Sequence, residues 1–157
     1  MSTDVLAITV HGRPIPQGSL RSLGTGRPSI HSNAEQLHPW RDSIITATQA
    51  AMRQAGWERT TGPISVHGSF YFDRPKAHYT SKGQLKRTAP CWPTTRANGD
   101  LDRLARAVGD SITAAGAIKD DSQLVAWNVL KTYVRPRNAF EQLQHPGVVL
   151  ELRKLTP

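Results

Sequence analysis

Five aspartates lie close together within residues 100–121, although acidic residues are sparse elsewhere in this chain. Two are in the run Gly-Asp-Leu-Asp-Arg-Leu at 99–104, and two more are in the run Lys-Asp-Asp-Ser-Gln at 119–123. Neither run has a His or Cys beside it, and hard carboxylate oxygens favour Mg²⁺ or Mn²⁺ over zinc. Such a metal can lower the pKa of a bound water and stabilise the oxygens of a phosphodiester during displacement.

Basic residues dominate the rest of the chain, with 20 Lys and Arg against 12 Asp and Glu and a formal net charge of +8. This charge favours a polyanionic partner such as nucleic acid. A stretch that has no acid carries six of the basic side chains: Arg74, Lys76, Lys82, Lys86, Arg87 and Arg96. We interpret it as a DNA-contacting loop, the alternative being a solvated linker. A basic chain with clustered carboxylates predicts a metal-dependent nuclease.

The length of 157 residues is enough for one domain with its own core. The single cysteine, Cys91, excludes an intrachain disulfide and a cysteine metal cluster, which fits a reducing cytoplasm. The N-terminus lacks the pattern of a signal peptide, and no apolar run approaches the ~20 residues that span a bilayer. We therefore expect a protein that is neither exported nor embedded in a membrane.

The spacing of apolar residues places the aspartates around one helix. A stripe at helical spacing predicts a helix over 101–115, with Asp100 at the N-cap and Gly116 after the end: Leu101, Leu104, Ala105, Val108, Ile112 and Ala115. Asp102, Arg106 and Asp110 follow each other on the opposite, wet face. In the alternative interpretation, the aspartates merely cap a helix and fill a turn.

The remaining patterns predict an α+β fold in a single domain, with a small mixed or antiparallel sheet and two main helices. Strands are expected at 5–10, 64–72, 123–134 and 148–152, and a helix at 33–55 whose regular part begins only at Pro39 or Trp40. The last strand is expected to pair with strand 123–134 through a loop at 138–147. Flexible basic loops are predicted at 12–32 and 74–98.

Asp100 and Asp102 enter the predicted helix, whereas Asp120 and Asp121 follow its far end. They can share a site only if the strand after Asp121 runs back along the helix, which is what we expect of it. Arg106 has two interpretations. It can hold a phosphate oxygen bidentately, or it can be an ordinary i,i+4 ion-pair partner of the neighbouring aspartates.

The run Gly-Asp-Leu-Asp-Arg-Leu-Ala-Arg-Ala-Val-Gly-Asp at 99–110, followed by Gly-Ala-Ile-Lys-Asp-Asp-Ser-Gln-Leu-Val at 116–125 and by Lys131, resembles the core of the RusA family of Holliday junction resolvases. The clear resemblance covers 96–134. It implies a homodimeric, Mg²⁺-dependent endonuclease, with Mn²⁺ as a possible substitute. Such an enzyme binds four-way DNA junctions and nicks two opposing strands.

The resemblance also implies roles for individual residues. The family's acidic triad of metal ligands falls on Asp100, Asp102 and Asp121, and its catalytic lysine position falls on Arg106. Guanidinium stays protonated, so the change to arginine keeps the charge and puts a proton-transfer role in doubt. Substitution of the other two aspartates should be tolerated better, and of those two we expect Asp120 to matter more because it adjoins Asp121.

Two departures from the family pattern remove no metal ligand: Gly99, where Pro or a basic residue often stands, and Arg103, where Asn or Lys is usual. Lys131 matches a basic position of the family, so we interpret it and Arg103 as DNA contacts, although a structural role for Lys131 is equally open. The predicted helix near Trp40 is a candidate for the dimer interface.

The expected partners are four-way or branched DNA and a second copy of the chain, with no membrane and no small-molecule cofactor. The resemblance places the protein in the cytoplasm of a prokaryote or a phage-infected cell. Two alternatives remain open. One is a metal nuclease for other branched or flap DNA, and the other is a non-catalytic basic DNA-binding protein.

Overall fold

The computed structural model describes residues 3–134 and 143–156. It contains the following strands and helices: β1 (Val5–His11), β2 (Leu20–Arg21), β3 (Ile30–His31), α1 (Ala34–Ala55), β4 (Ile64–Phe72), α2 (Leu101–Ala114), β5 (Leu124–Tyr133) and β6 (Gly147–Lys154). Two helices with a small mixed sheet confirm the predicted α+β class. None of the helices in this part of the chain is long and apolar enough to cross a membrane.

The main sheet has four strands in the order β1-β6-β4-β5. Strand β6 is antiparallel to both of its neighbours, β1 and β4, whereas β5 is parallel to β4 and forms one edge. The prediction that β6 pairs with β5 is therefore wrong. Strand β6 buries Val148, Leu150 and Leu152 completely and takes a central place, while β5 leaves Val125 60% exposed and takes the edge. Residues 138–142 of the predicted connecting loop lie outside the described residues.

Helix α2 is the crossover between the parallel strands β4 and β5. Parallel neighbours cannot be joined by a tight hairpin, so the chain must cross one face of the sheet between them. The apolar side of α2 does this, burying Leu104, Val108 and Ile112 in the core. Because β5 is parallel to β4 and follows α2, it runs back toward the beginning of the helix, as the convergence of the aspartates requires.

Helix α1 begins at Ala34, five residues before Pro39, so the expectation of a later start is wrong. The Asn33 carbonyl accepts the amides of Gln36 and Leu37, which forms a first turn upstream of the proline. Trp40 is only 4% exposed and belongs to the core. Its ring therefore packs inside the protein, and the helix around it stays a predicted candidate for the dimer interface.

The two segments predicted as loops both contain regular contacts. Within 12–32, strands β2 and β3 pair as a short antiparallel ribbon, so this segment is not wholly irregular. Within 74–98, single 3-10 turns form at Lys76–His78 and Arg96–Asn98. The second turn leads directly into Gly99 and α2, and so fixes the chain just before the first aspartate of the motif.

Candidate active site

Asp100 occupies the N-cap position of α2, but its side chain makes no capping hydrogen bond. Its Oδ2 atom instead lies 3.7 Å from Nε of Arg103, and the Asp100 side chain is 75% exposed. An Asp at a helix start ordinarily satisfies a free backbone N–H of the first turn. Here the helix does not use the carboxylate, so the interpretation of Asp100 as a simple cap loses its support.

A groove of about 650 Å³ runs between α2 and the beginning of β5, and we call it the acidic groove. Three carboxylates and one guanidinium line it: Asp102, Asp110, Asp121 and Arg106. The other walls are mainly apolar and include Leu101, Ala105, Leu124, Trp127 and Val129. The structure thus brings the two halves of the aspartate pattern to one groove, while Asp100 lies outside its lining.

Arg106 has no ion pair with Asp102 or Asp110 in the described part of the chain, where the salt bridges are Arg103–Asp100 and Arg153–Glu151. The i,i+4 interpretation of Arg106 therefore finds no support in the structure. An exposed guanidinium that lines the acidic groove without a carboxylate partner keeps its planar N–H donors available for a phosphate.

The donor set of the acidic groove consists of oxygens, which suits a hard divalent cation. Within 3–134 and 143–156, however, no three His, Cys, Asp or Glu side chains are gathered closely enough to hold a metal ion. The carboxylates of the acidic groove therefore do not form a three-ligand metal site among the described residues of a single chain. The assignment of Asp100, Asp102 and Asp121 as metal ligands stays a prediction.

The turn before β5 explains how Asp121 is positioned. Asp120 Oδ1 accepts the Ser122 amide at 2.9 Å, and Gln123 Oε1 accepts the Asp120 amide at 2.9 Å, forming a reciprocal capping box. The Gln123 side-chain amide also donates to the carbonyls of Thr60 and Gly62, which anchors the turn to the body of the protein. This network, which was not predicted from the sequence, engages the Asp120 carboxylate in the turn. Of Asp110 and Asp120, Asp110 is the one that lines the acidic groove.

A family model described as Endodeoxyribonuclease RusA matches residues 12–141, which is most of the chain. The chain belongs to the RusA family. Membership implies an endodeoxyribonuclease, and therefore an enzyme that hydrolyses phosphodiesters. A search of curated proteins found no match.

The backbone conformation of Gly99 explains why glycine stands directly before Asp100. It adopts φ 73° and ψ 171°, a region open essentially to glycine alone. A Cβ atom added there would lie 2.5 Å from Cγ of Pro16. The Gln17 amide also donates to the Arg103 carbonyl at 3.1 Å, so the N-terminal segment packs directly against the RusA motif.

The basic residues assigned to DNA in this RusA-family chain fall into two groups. Most are exposed: Lys76, Lys82, Lys86, Arg87, Arg96 and Arg103. Arg74 differs, because it is only 8% exposed, donates to the Pro90 carbonyl at 2.7 Å and lies over the Tyr133 ring at 4.5 Å. The sequence predicted that Arg74 lies on an open loop surface. The structure instead buries it.

Lys131, half-buried on β5, donates from Nζ to the Gly99 carbonyl at 2.8 Å. This bond joins the end of β5 to the turn that carries Asp100. The geometry favours the structural interpretation of this basic RusA position, in which Lys131 positions the motif.

We expect Lys131→Met to slow cleavage more than it weakens DNA binding, because the lost hydrogen bond, worth about 1 kcal/mol, holds the turn before Asp100. Lys82→Met, which removes an exposed lysine, is the matched comparison and should weaken binding and reduce its salt dependence. Gel-shift titrations without metal and single-turnover cleavage separate the two effects. A Lys131 variant that behaves like the Lys82 variant would show a phosphate contact instead.

Asp120→Ala should lower the melting temperature, because the Ser122 hydrogen bonds of the Asp120 carboxylate are lost. Those bonds lower the pKa of Asp120 below its ordinary value. A lowered folded-state pKa means that the stabilisation is present above the unfolded pKa of about 3.9 and disappears as the pH falls through the folded value. Melting curves of the parent and variant should therefore converge in acid. A constant difference at every pH would contradict this account.

Proposed function

We propose that the protein is a Mg²⁺-dependent, structure-selective endodeoxyribonuclease that resolves four-way DNA junctions by nicking two opposing strands. The observation that carries the proposal is the acidic groove, in which Asp102 and Asp121 from separate elements lie beside Arg106, a residue with no ion pair in the described part of the chain. Family membership supplies the reaction class, endonucleolytic cleavage of DNA. Junction selectivity, metal dependence and paired nicking go beyond this reaction class and are part of the proposal.

In this proposal Asp100, Asp102 and Asp121 would hold Mg²⁺, or Mn²⁺ in its place. The bound metal would supply an activated water and stabilise negative charge on the phosphate oxygens. The carboxylate of Asp102 is suited to this role because it makes no hydrogen bond or ion pair within the described residues, and Asp100 is committed only to a long contact with Arg103.

The other groups of the chain bind and orient the substrate. Arg106 donates N–H groups to a non-bridging oxygen of the phosphate, where its charge counts most as negative charge develops. Lys131 holds the Gly99 carbonyl and so keeps Asp100 at the start of α2. The apolar wall of the groove, with Leu124 and Trp127, limits the water around the phosphate and strengthens these contacts.

The exposed basic residues would bind the phosphates of the DNA arms, and they are Lys76, Lys82, Lys86, Arg87, Arg96 and Arg103. Contacts of this kind carry no base specificity, so the shape of the junction would decide affinity. They also release counterions, so binding without metal should persist and weaken steeply with added salt.

We further propose a homodimer that forms through the edge strand β5. Val125 and Leu130 on this strand are 60% and 41% exposed, and large apolar groups on an unpaired edge are a template for a second copy. A two-fold dimer suits a junction with two nicks. It also suits a groove whose carboxylates form no closed metal site among the described residues of one chain, because β5 borders that groove.

Val125→Lys should shift the protein toward monomer, because it places a charge on the most exposed large apolar side chain of the proposed contact strand. Lys and Val have the same extended backbone in β5, so the fold should persist in circular dichroism. Sedimentation velocity of the parent, of Val125→Lys and of Val5→Lys on the opposite edge strand tests the interface. A monomeric parent, or a Val5 variant that alone dissociates, would contradict the β5 dimer.

The decisive test of the proposed function uses a synthetic four-way junction with a mobile core, incubated with Mg²⁺ or with EDTA. We expect two nicks in opposing strands with Mg²⁺ and none with EDTA, while a linear duplex of the same sequence stays intact. Equal cleavage of flap or three-way substrates would favour the broader branched-DNA nuclease. Binding without cleavage of any substrate would favour a non-catalytic DNA-binding protein.

A further inference from the structure

We propose that a cavity between Arg13 and Arg74 is a subsite for a backbone phosphate of bound DNA. The inference rests on the proposed function, because it concerns a further contact with the DNA that would bind at the acidic groove. The cavity measures about 290 Å³, and Tyr133 lines it together with the polar residues Arg13, Asp73, Arg74, Thr95 and Asn98. None of the roles described above uses this cavity.

Arg74 gives the cavity a buried and incompletely satisfied cation. The side chain is 8% exposed, with its guanidinium over the Tyr133 ring and one nitrogen bonded to the Pro90 carbonyl. Its Nε atom is buried and has no hydrogen-bond partner. Across the described residues no carboxylate lies within ion-pair distance of it, not even that of the adjacent Asp73. A buried charge without a counter-ion is costly, so an anion bound in the cavity would be stabilised.

Arg13 supplies a second guanidinium at the rim. Its Nη2 donates to the Ala97 carbonyl at 2.9 Å, which orients the head group of this exposed residue. Guanidinium has five N–H donors in a planar fork, so one bond to a carbonyl leaves others for a ligand. Two arginines that share one cavity present more donors than the protein acceptors around them use.

The location of the cavity indicates which anion it would take. Thr95 donates its hydroxyl to the Asn98 side-chain oxygen at 2.7 Å, which leaves the Asn98 amide nitrogen as a further donor. Asn98 directly precedes Gly99 and Asp100. A phosphate of the DNA strand that is bound at the acidic groove would meet two arginines and an amide in this cavity. Charged acceptor oxygens match this donor set.

The first test measures the salt dependence of junction binding in EDTA, where cleavage plays no part. Arg13→Gln should reduce the magnitude of the slope of log K against log salt by about 0.9, the value for one phosphate contact, and weaken binding several-fold. Arg53→Gln removes an exposed arginine near the C-terminal end of α1, far along the chain from the cavity, and should leave the slope unchanged.

The second test observes Arg74 directly in the full-length protein. The ¹⁵N resonance of its Nε–H group is assigned through its absence from Arg74→Lys, or through side-chain correlations of the parent if that variant does not fold. Titration with inorganic phosphate and with thymidine 5′-monophosphate should shift this resonance saturably in the parent. In Arg13→Gln the same titrations should need at least about tenfold more ligand, because one of the two charges is missing.

The two tests together decide the inference. A saturable Nε–H shift with a reduced salt slope for Arg13→Gln supports a DNA-phosphate subsite, even if the protein proves not to cleave junctions. A shift without any change of slope would show a site for free phosphate only and would overturn the role in DNA binding. An Nε–H resonance that neither phosphate nor the nucleotide moves would also overturn it, leaving Arg74 as a structural contact of Tyr133 and Pro90.

Discussion

Asp102→Asn should abolish cleavage of a four-way junction while metal-free binding stays within about twofold of the parent. The change preserves the size of the side chain and removes the charge that would face a divalent cation in the acidic groove. Because a metal ion supplies several kcal/mol of charge stabilisation in the transition state, the expected loss is more than about 10²-fold. Single-turnover cleavage with saturating Mg²⁺ is the measurement.

The same experiment extends to the other acidic residues. Asp100→Asn and Asp121→Asn should match the loss of Asp102→Asn, whereas Asp42→Asn, an exposed carboxylate on α1, should be as active as the parent. Calorimetric titration with Mn²⁺ adds a readout that does not depend on activity, since loss of a ligand should weaken metal binding. Near-normal cleavage by any of the three variants would remove that residue from the site.

Arg106→Ala should slow cleavage by roughly 10²-fold or more, and Arg106→Lys should keep much of the parent rate. The reason is that Arg106 lines the acidic groove without an ion-pair partner in the described residues, so its charge is available to the phosphate. A lysine at this position restores the charge but not the bidentate geometry. The ratio of the two variant rates therefore separates the contribution of charge from that of shape.

Arg53→Ala, on the exposed side of α1, controls for the general loss of a positive charge. Melting curves of both Ala variants exclude unfolding as the cause of a lower rate. If Arg106→Ala cleaves as fast as the parent, Arg106 has no part in the chemistry. If Arg106→Lys is as slow as Arg106→Ala, a fixed positive charge is insufficient and the fork of donors is required.

Periodicity predicted α2 well because the helix has one apolar face and ends at a turn with Gly116 at φ 86°. Proline favours a later start of α1, but the hydrogen bonds that the Asn33 carbonyl accepts form a first turn upstream of it. The order of strands could not be predicted from local patterns. Strands β5 and β6 are both apolar, and which of them becomes the edge depends on contacts between residues far apart in the chain.

For the candidate site, spacing alone identified Asp102, Arg106 and Asp110 as one face of a helix, and the structure places all three in the acidic groove. The spacing of Asp120 and Gln123 is a local signal of a capping box, whereas the hydrogen bonds from Gln123 to carbonyls about 60 residues away could not be predicted from the sequence. The burial of Arg74 could not be predicted either, because it depends on a residue far along the chain. A basic residue in a basic stretch gives no sign that an aromatic ring on a distant strand will cover it.

The contact between Gly99 and Pro16 makes two distant stretches of the sequence interdependent. Any residue other than glycine at position 99 would meet the proline ring, so the pair restricts which substitutions either position can accept. A chimera that imports a proline or basic residue before Asp100 would need the segment around Pro16 from the same donor. If only one of the two segments were exchanged, the residue at position 99 would clash with the Pro16 ring, and the clash would displace the adjacent Asp100.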